Sequence, residues 1–328
     1  MKSLKILGTG IYLPDKVADN QDFTEFLDTS DEWIQTRTGI SQRRISVGEP
    51  TWLISQKAAK AAIENANIDV EDIDVIISTS SSMDYMFPSL SCILQGKLGA
   101  KNAFGMDIGC ACAGFVYAFD MAARYISTGY KTILIISGEN ITRNVDYNDR
   151  SSCILFGDGA GACVVQGKNG DFNSYFMSEG EGAFSIYLKN PPLENAFTSA
   201  KISKQYDALP DTNGKMFMDG REVYKFATRA MAKAVKNACE KAGITADDLD
   251  LIIPHQANMR ITETAAQKLK QPISKFFVNI EKYGNTSSAS IPICLHEAIK
   301  SGRIKPGSKI CLVGFGAGLI YGAVIFDY

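Results

Sequence analysis

An internal duplication restricts the possible folds of this chain more than any other feature. Residues 58–77 (AAKAAIENANIDVEDIDVII) and 234–253 (AVKNACEKAGITADDLDLII) align without gaps at an offset of 176 positions. In each copy, alanines spaced four apart line one face of a helix, and an apolar run typical of a buried strand follows. A chance match between two common helix-strand units is the alternative.

Further segments pair in the same way and divide the chain into two α/β halves. Residues 131–138 (KTILIISG) and 309–316 (KICLVGFG) are both predicted to be buried strands that another strand follows. Between the halves, the polar stretch 167–171 (GKNGD) is typical of a connection. The predicted halves are 1–170 and 171–328.

Two stretches do not fit the repeat. Residues 81–92 (SSMDYMFPSLSC) and 172–220 contain prolines and no regular apolar pattern. We predict both to be excursions, the second covering one face of the C-terminal half.

The composition argues against several classes of protein. Lysine and arginine total 34 of 328 residues against 36 aspartates and glutamates, and a net charge of −2 argues against broad binding to nucleic acid. No apolar run reaches the roughly 20 residues that span a membrane, and the N-terminal stretch is too short for a signal peptide. The eight cysteines form no CxxC pairs, so we expect reduced thiols and no metal site. The prediction is a cytoplasmic protein.

A cysteine at a strand-to-helix turn is the first candidate for chemistry. The sequence 107–115 (DIGCACAGF) ends a predicted strand and opens a predicted amphipathic helix over 114–127. A helix N-terminus favours a thiolate, so Cys112, which is nearer the helix than Cys110, is predicted to be a nucleophile with a lowered pKa. A small buried core cysteine is the more frequent explanation of such a residue.

The duplication points to His255 as the second candidate. The predicted strand 249–253 runs into 254–258 (PHQAN), where the first copy has only serine and threonine at 78–79. A histidine at a strand end, followed by glutamine and asparagine, is better placed for a site than for a core. The other histidine, His296, lies within a predicted helix and is expected to be structural.

A loop of small residues supplies the third candidate. In 284–292 (GNTSSASIP), the offset places Ser288 at the position of Cys112. We expect Asn285 to project its amide into the same space, although an asparagine before a helix is often only a cap. The glycines of 314–318 (GFGAG) could bring backbone N–H groups close to a ligand oxygen, or could only make a tight turn.

Together, a thiol, an imidazole, an amide and a glycine turn suggest acyl-thioester chemistry with a cysteine nucleophile. The spacing alone does not separate this reaction from that of a Cys/His/Asn hydrolase. The sequence lacks the disulfide framework of a papain-like protease, and its duplicated α/β plan also disagrees with one.

Six motifs occur in order along the chain: 28–40 (DTSDEWIQTRTGI), 111–115 (ACAGF), 156–162 (FGDGAGA), 254–258 (PHQAN), 284–292 (GNTSSASIP) and 314–318 (GFGAG). These motifs resemble those of the β-ketoacyl-acyl-carrier-protein synthase III family of condensing enzymes. The resemblance implies an α/β thiolase fold with duplicated βα halves in five αβαβα layers, assembled as a homodimer. It also implies an acyltransferase that starts fatty-acid biosynthesis by decarboxylative Claisen condensation of a short acyl-CoA primer with malonyl-acyl-carrier protein, without a metal or redox cofactor.

The resemblance assigns catalytic roles residue by residue. Cys112 would carry the acyl group, while His255 and Asn285 would hydrogen-bond the thioester carbonyl of the malonyl substrate. The backbone N–H groups of Cys112 and Gly316 would bind the tetrahedral oxyanion.

Binding residues follow from the same resemblance. Trp33 and Arg150 would sandwich the adenine of coenzyme A and Arg37 would reach its phosphates, although a Trp-Arg pair is also a common surface contact. The implied coenzyme A set is Thr29, Trp33, Arg37, Arg150, Gly220, Ala257 and Asn258. The implied acyl-pocket set is Ile141, Phe156 and, contributed across the dimer interface, Phe87. The implied carrier-protein set is Lys225, Arg260 and Lys268, for which a solvated basic face is the alternative.

The sequence leaves the acyl chain and the pathway open. Residues 172–215, the pair 139–140 and Arg221 give no clear indication of primer length. A thiolase-fold synthase of specialised metabolism that makes a quinolone, polyketide, ketone or ester is one alternative. A dimer that binds acyl-CoA without catalysis is another.

Overall fold

The computed structural model describes residues 3–191, 194–199, 201 and 209–328. Residues 192–193, 200 and 202–208 of the predicted excursion 172–220 lie outside the described residues. The strands are β1 (Ser3–Tyr12), β2 (Lys16–Asp19), β3 (Gln42–Ile45), β4 (Val75–Thr79), β5 (Phe104–Ile108), β6 (Thr132–Glu139), β7 (Gly159–Lys168), β8 (Phe172–Ser178), β9 (Ile186–Tyr187), β10 (Phe217–Met218), β11 (Leu251–Pro254), β12 (Lys309–Gly316) and β13 (Ile320–Asp327). The α-helices are α1 (Asn20–Thr24), α2 (Asp31–Thr38), α3 (Thr51–Ala66), α4 (Leu90–Leu98), α5 (Gly114–Ser127), α6 (Gly220–Ala242), α7 (Met259–Leu269), α8 (Ile280–Tyr283) and α9 (Ser290–Lys300).

Two similar sheets form the frame of the molecule. The first has the strand order β1-β7-β6-β4-β5 and the second the order β8-β13-β12-β11. In each sheet the neighbouring strands from the repeat are parallel, β4 with β6 and β11 with β12, and the edge strand β5 is also parallel to β4. The pairs β1–β7, β6–β7, β12–β13 and β8–β13 are antiparallel. Along the chain, β7 is the last strand of the first sheet, and β8, the first strand of the second sheet, follows it after a three-residue turn.

The prediction that all of 172–220 is an excursion is wrong for its first residues. Residues Phe172–Ser178 form β8, which pairs with β13 as β1 pairs with β7. The sequence FNSYFMS has no alternation that would reveal a strand, because an edge strand is held largely by backbone hydrogen bonds, which depend little on side chains. The counterpart of β5 is reduced to one bridge, between Ile252 and Phe276.

The alternation of side chains along the strands explains the layers. On β6, Ile133 and Ile135 face a core shared with α5, α9 and the second sheet, while Leu134 and Ile136 face α3 and α4. On the second sheet, Cys311 and the other outward residues pack against α6 and α7. The predicted order of five αβαβα layers is therefore confirmed, with α5 and α9 between the sheets.

The alanine face of α3 lies directly on β1. A methyl group on Gly8 or Gly10 would overlap the backbone of α3 at Ala58, Ala62 or Ala66. The alanines spaced four apart therefore serve a backbone-to-backbone contact, which only glycine on β1 permits.

We expect Gly10→Ala to lower the free energy of unfolding by about 3 kcal/mol, because the added methyl group must push α3 away from the sheet. Denaturant unfolding measures the change. Gly96→Ala is the matched control, since no atom lies near that position on α4 and alanine there favours the helix. Equal stability of the Gly10→Ala variant and the native protein would contradict the close contact.

Candidate active site

Cys112 lies in a tight turn between β5 and α5. Residues Ala111–Ala113 form a single 3-10 turn, and Ala111 has a φ of 42°, in the left-handed region. The next residue must be glycine, because a Cβ on Gly114 would overlap the Thr79 hydroxyl. Small residues therefore let the turn pack closely against Thr79 at the end of β4, and the sulfur lies at the start of the helix.

The second half of the chain builds a matching turn opposite the first. Residues Ser287–Ala289 form a 3-10 turn before α9, and Ser287 has a φ of 50°. The offset of the duplication relates Ser287 to Ala111, so both copies share the same backbone geometry. The Oγ of Ser287 lies 3.3 Å from the Sγ of Cys112. Sequence reasoning missed Ser287, although the offset could have indicated it.

His255 is buried at the end of β11, where its backbone N–H donates to the Val313 carbonyl over 2.8 Å. Its Nδ1 lies 2.7 Å from Ser290 Oγ, and Ser290 donates its own proton to the Ser287 carbonyl over 2.9 Å. This network assigns the ring proton to Nδ1 and leaves the lone pair of Nε2 for the cavity. Burial lowers the pKa of His255 to about 3, so the imidazole is neutral.

Asn285 is fixed through its backbone and through one side-chain atom. Its N–H donates to Leu155, its carbonyl accepts from Gly157, and its Oδ1 accepts the Ser287 N–H over 2.8 Å. Within the described ranges, its Nδ2 has no hydrogen-bond partner. The fixed Oδ1 orients the amide so that its N–H groups are available to a ligand.

The resting thiol differs from the predicted thiolate. Burial raises the pKa of Cys112 to about 12, with a hydrogen bond from Ser287 lowering it and the charge of Glu139 raising it. The prediction considered the helix N-terminus and not the desolvation of the sulfur. The site thus holds a neutral thiol and a neutral imidazole, and a proton has to move when the sulfur reacts.

Gly316, at the end of β12, lies against the nucleophile. A Cβ on Gly316 would be 2.9 Å from the backbone nitrogen of Cys112 and 3.3 Å from its Cβ. Glycine therefore allows the two backbones to approach closely, which is the requirement for a paired N–H site.

A cavity of about 450 Å³ joins these groups to the surface. Cys112, His255, Asn285 and Gly316 all line it, whereas Cys110 does not. Among the other predicted residues, the cavity is lined by Trp33, Arg37, Ile141, Phe156, Gly220, Ala257 and Asn258. Residues that the sequence did not single out also line it, among them Ser81, Tyr224, Phe226, Ser287 and Phe315.

The predicted coenzyme A residues gather around Trp33. The guanidinium carbon of Arg150 lies 5.2 Å from the centre of the Trp33 ring and that of Arg37 lies 5.9 Å from it. Arg150 also donates to the Asp28 carbonyl, beside Thr29. Thr29 and Arg150 do not line the cavity itself.

The predicted carrier-protein residues lie on the exposed sides of α6 and α7. Lys225 pairs with Glu222 at 2.6 Å, Arg260 lies 5.9 Å from the Tyr224 ring, and Lys268 donates to a backbone carbonyl. Because Tyr224 lines the cavity, Arg260 stands near its rim.

His296 has a structural environment, as predicted. Its Nδ1 lies 3.0 Å from the Thr9 hydroxyl, away from the cavity, and burial lowers its pKa. The described residues contain no cluster of three or more histidine, cysteine or carboxylate side chains that could hold a metal ion. Among the helices that the structure describes, none has the length and apolar character to cross a bilayer.

Comparison with known proteins decides the family. Sequence models described as 3-oxoacyl-(acyl-carrier-protein) synthase III and as the C-terminal part of that enzyme match residues 106–180 and 239–328. The β-ketoacyl-(acyl-carrier-protein) synthase III of Clostridium acetobutylicum is 44% identical over 100% of this chain and 99% of its own length. The chain belongs to the 3-oxoacyl-(acyl-carrier-protein) synthase III family. The resemblance read from the six motifs is confirmed, and with it an acyl-transferring condensing enzyme.

Solved structures of synthase III enzymes share the fold. That of Aquifex aeolicus matches with a TM-score of 0.90 and 42% identity, covering 99% of this chain and 100% of that one. The priming β-ketosynthase of the R1128 polyketide pathway matches with a TM-score of 0.88 and 33% identity, covering 99% and 96%. The predicted thiolase-type fold of a synthase III is thus confirmed.

Proposed function

We propose that this chain condenses a short acyl-CoA primer, such as acetyl-CoA, with malonyl-acyl-carrier protein to give 3-oxoacyl-acyl-carrier protein, coenzyme A and CO2. The observation that carries the proposal is the meeting of Cys112, His255, Asn285 and Gly316 in one cavity. The relatives are named as acyl-carrier-protein synthases, and these names support malonyl-acyl-carrier protein as the second substrate.

In the first half-reaction, Cys112 Sγ attacks the thioester carbon of the primer while His255 Nε2 takes the thiol proton. The backbone N–H groups of Cys112 and Gly316 donate to the oxyanion that forms. The coenzyme A thiolate then leaves and accepts the proton from Nε2, and the acyl group stays on Cys112. Since burial keeps both side chains neutral at rest, this transfer occurs only when an electrophile is bound.

In the second half-reaction, the malonyl thioester carbonyl accepts hydrogen bonds from Asn285 Nδ2 and from His255 Nε2–H. The imidazole carries its proton on Nε2 when the Ser290 hydroxyl donates to Nδ1 instead of to the Ser287 carbonyl. The two donors stabilise the enolate left by CO2, and its carbon attacks acyl-Cys112. Collapse of the tetrahedral intermediate breaks the bond between the acyl carbon and Cys112 Sγ and releases the product, and the thiolate that leaves takes up one proton from water to restore the thiol.

The ligand roles belong to the same proposal. Trp33 and Arg150 hold the adenine of coenzyme A, Arg37 its phosphates, and Lys225, Arg260 and Lys268 the acidic carrier protein. No metal or redox cofactor takes part, because loss of CO2 drives the condensation. We also propose a cytoplasmic location and a division of function between halves 1–170 and 171–328.

The exposed surface favours a homodimer. Met86 and Phe87 are 77% and 85% exposed in a loop with further apolar residues, and β5 leaves an open sheet edge where Phe104 is 39% exposed. Phe87 does not line its own chain's cavity, so we place it in the acyl pocket of a second copy.

We expect Phe87→Ala to weaken the dimer by on the order of tenfold or more, because it removes a large apolar anchor. Sedimentation over a concentration series measures dissociation, and acylation by longer acyl-CoAs reports the widened pocket. Val47→Ala, at an exposed apolar position outside the loop, is the control. A monomeric native protein would refute the dimer.

The function is tested with purified protein, a graded series of acyl-CoAs and malonyl-carrier protein. We expect an acyl adduct by intact-protein mass spectrometry, with the shortest chains favoured, and release of CO2 with the ketoacyl product. Thioester hydrolysis without condensation would identify a hydrolase, and binding without any turnover would identify a non-catalytic protein.

A second candidate rests on the similarity to the polyketide priming enzyme at 33% identity. Preference for a longer or branched primer in the same series would favour specialised metabolism over the start of fatty-acid synthesis.

A further inference from the structure

A buried carboxyl without a cation lies behind the active site. Glu139, at the end of β6, is fully buried and has no ion pair within the described part of the chain. Its Oε1 accepts from Ser288 Oγ at 2.5 Å, and its Oε2 accepts from Ser82 Oγ at 2.6 Å. The Ser81 N–H donates to both oxygens, at 3.1 and 3.0 Å.

The hydrogen bonds around this carboxyl all point toward it. The Ser137 hydroxyl donates to Ser288 Oγ over 2.6 Å, so the Ser288 proton remains for Glu139. In the same way, the Asn140 N–H donates to Ser82 Oγ over 2.8 Å, which leaves the Ser82 proton for the carboxyl. Donors on every side favour the ionised carboxylate, while burial acts in the opposite direction and raises the pKa of Glu139.

The residue that Glu139 holds belongs to the turn that gathers the active site. Ser288 lies between Ser287, which contacts Cys112, and Ser290, which contacts His255. The same turn begins beside Asn285, whose Oδ1 accepts the Ser287 N–H. Fixing Ser288 therefore fixes the contacts of all three groups at once.

We propose that Glu139 is a positioning residue for this reaction: through Ser288 its carboxyl anchors the turn at Ser287–Ala289, which holds Ser287 against Cys112 and Ser290 against His255. The proposal rests on the function proposed above for its condensation readout only.

The test is alkylation of Cys112 by iodoacetamide at pH 8, followed by peptide mass spectrometry on the native protein and Glu139→Gln. Without its anchor, the turn that holds the Ser287 hydroxyl at the buried sulfur loosens and exposes the sulfur, so we expect the alkylation rate at Cys112 to rise about tenfold. Alkylation of the exposed Cys92 in the same sample must stay unchanged. Ser137→Ala is the matched control, because it leaves the hydrogen bond from Ser288 to Glu139 in place, and its Cys112 rate should equal that of the native protein.

Condensation is measured on the same proteins. We expect kcat of Glu139→Gln to fall about tenfold or more, because the turn at the active site loses its anchor. We expect little change in KM, because the residues that bind the substrates are unaltered. If Glu139→Gln fails to fold, Ser288→Ala takes its place, since it breaks the anchor and keeps the carboxylate. In either variant, once it is shown to be folded, a native Cys112 alkylation rate or a native kcat would overturn the anchoring role. Alkylation needs neither substrate, so its result stands even if the proposed reaction fails.

Discussion

We expect Cys112→Ser to leave the protein folded and to remove acyl loading, with condensation falling on the order of 10⁴-fold or more. The physical reason is that a serine hydroxyl at the same turn is a much weaker nucleophile, and the neutral His255 beside it is a weak base. Intact-protein mass spectrometry after incubation with acyl-CoA measures loading, and CO2 release measures turnover.

The matched control for this variant is Cys110→Ser, two residues away and outside the cavity. We expect it to load acyl groups at the native rate. Persistent acylation of Cys112→Ser at Cys110 would show that the nucleophile is assigned to the wrong sulfur.

Asn285→Ala and His255→Ala are expected to lower malonyl decarboxylation by about 10² to 10³-fold each, because each removes one donor to the developing enolate. Acyl loading should survive Asn285→Ala almost unchanged, and should fall less than decarboxylation in His255→Ala. Loading is followed by mass spectrometry and decarboxylation by CO2 release from malonyl-carrier protein.

The second histidine supplies the control for these variants. His296 contacts Thr9 far from the cavity, so His296→Ala should retain both half-reactions while it lowers stability. Equal losses of loading and decarboxylation in Asn285→Ala would contradict the role assigned to its amide.

The layers could be predicted from the sequence because burial on two faces leaves continuous apolar runs in β4, β6, β11 and β12. The helix predicted over 114–127 has the same bounds as α5. The strand β8 could not be predicted, because backbone hydrogen bonds to β13 hold it in place and its side chains do not alternate between apolar and polar. Local pattern therefore reveals central strands better than edge strands.

The candidate site could be predicted from the sequence only through residues whose side chains can take part in catalysis, such as cysteine, histidine and asparagine. The motifs bring Cys112, His255 and Asn285 to one cavity, and their roles stay predictions until the variants are measured. Which of several neighbouring serines touches the sulfur depends on the backbone of a turn, so Ser287 could not be chosen by type. The protonation of Cys112 was predicted in the wrong direction because desolvation is a property of the folded chain.

The two facing 3-10 turns show how the copies have divided their labour. At equivalent positions, one copy carries a sulfur at the cavity and the other carries Ser288, whose hydroxyl is committed to Glu139 and Ser137. Placing a cysteine at 288 would therefore add no second nucleophile to the cavity, since that side chain points into a closed polar network. A variant with a nucleophile in each copy would therefore need changes in β6 as well as in the turn, because Glu139 and Ser137 of β6 bind the side chain at position 288.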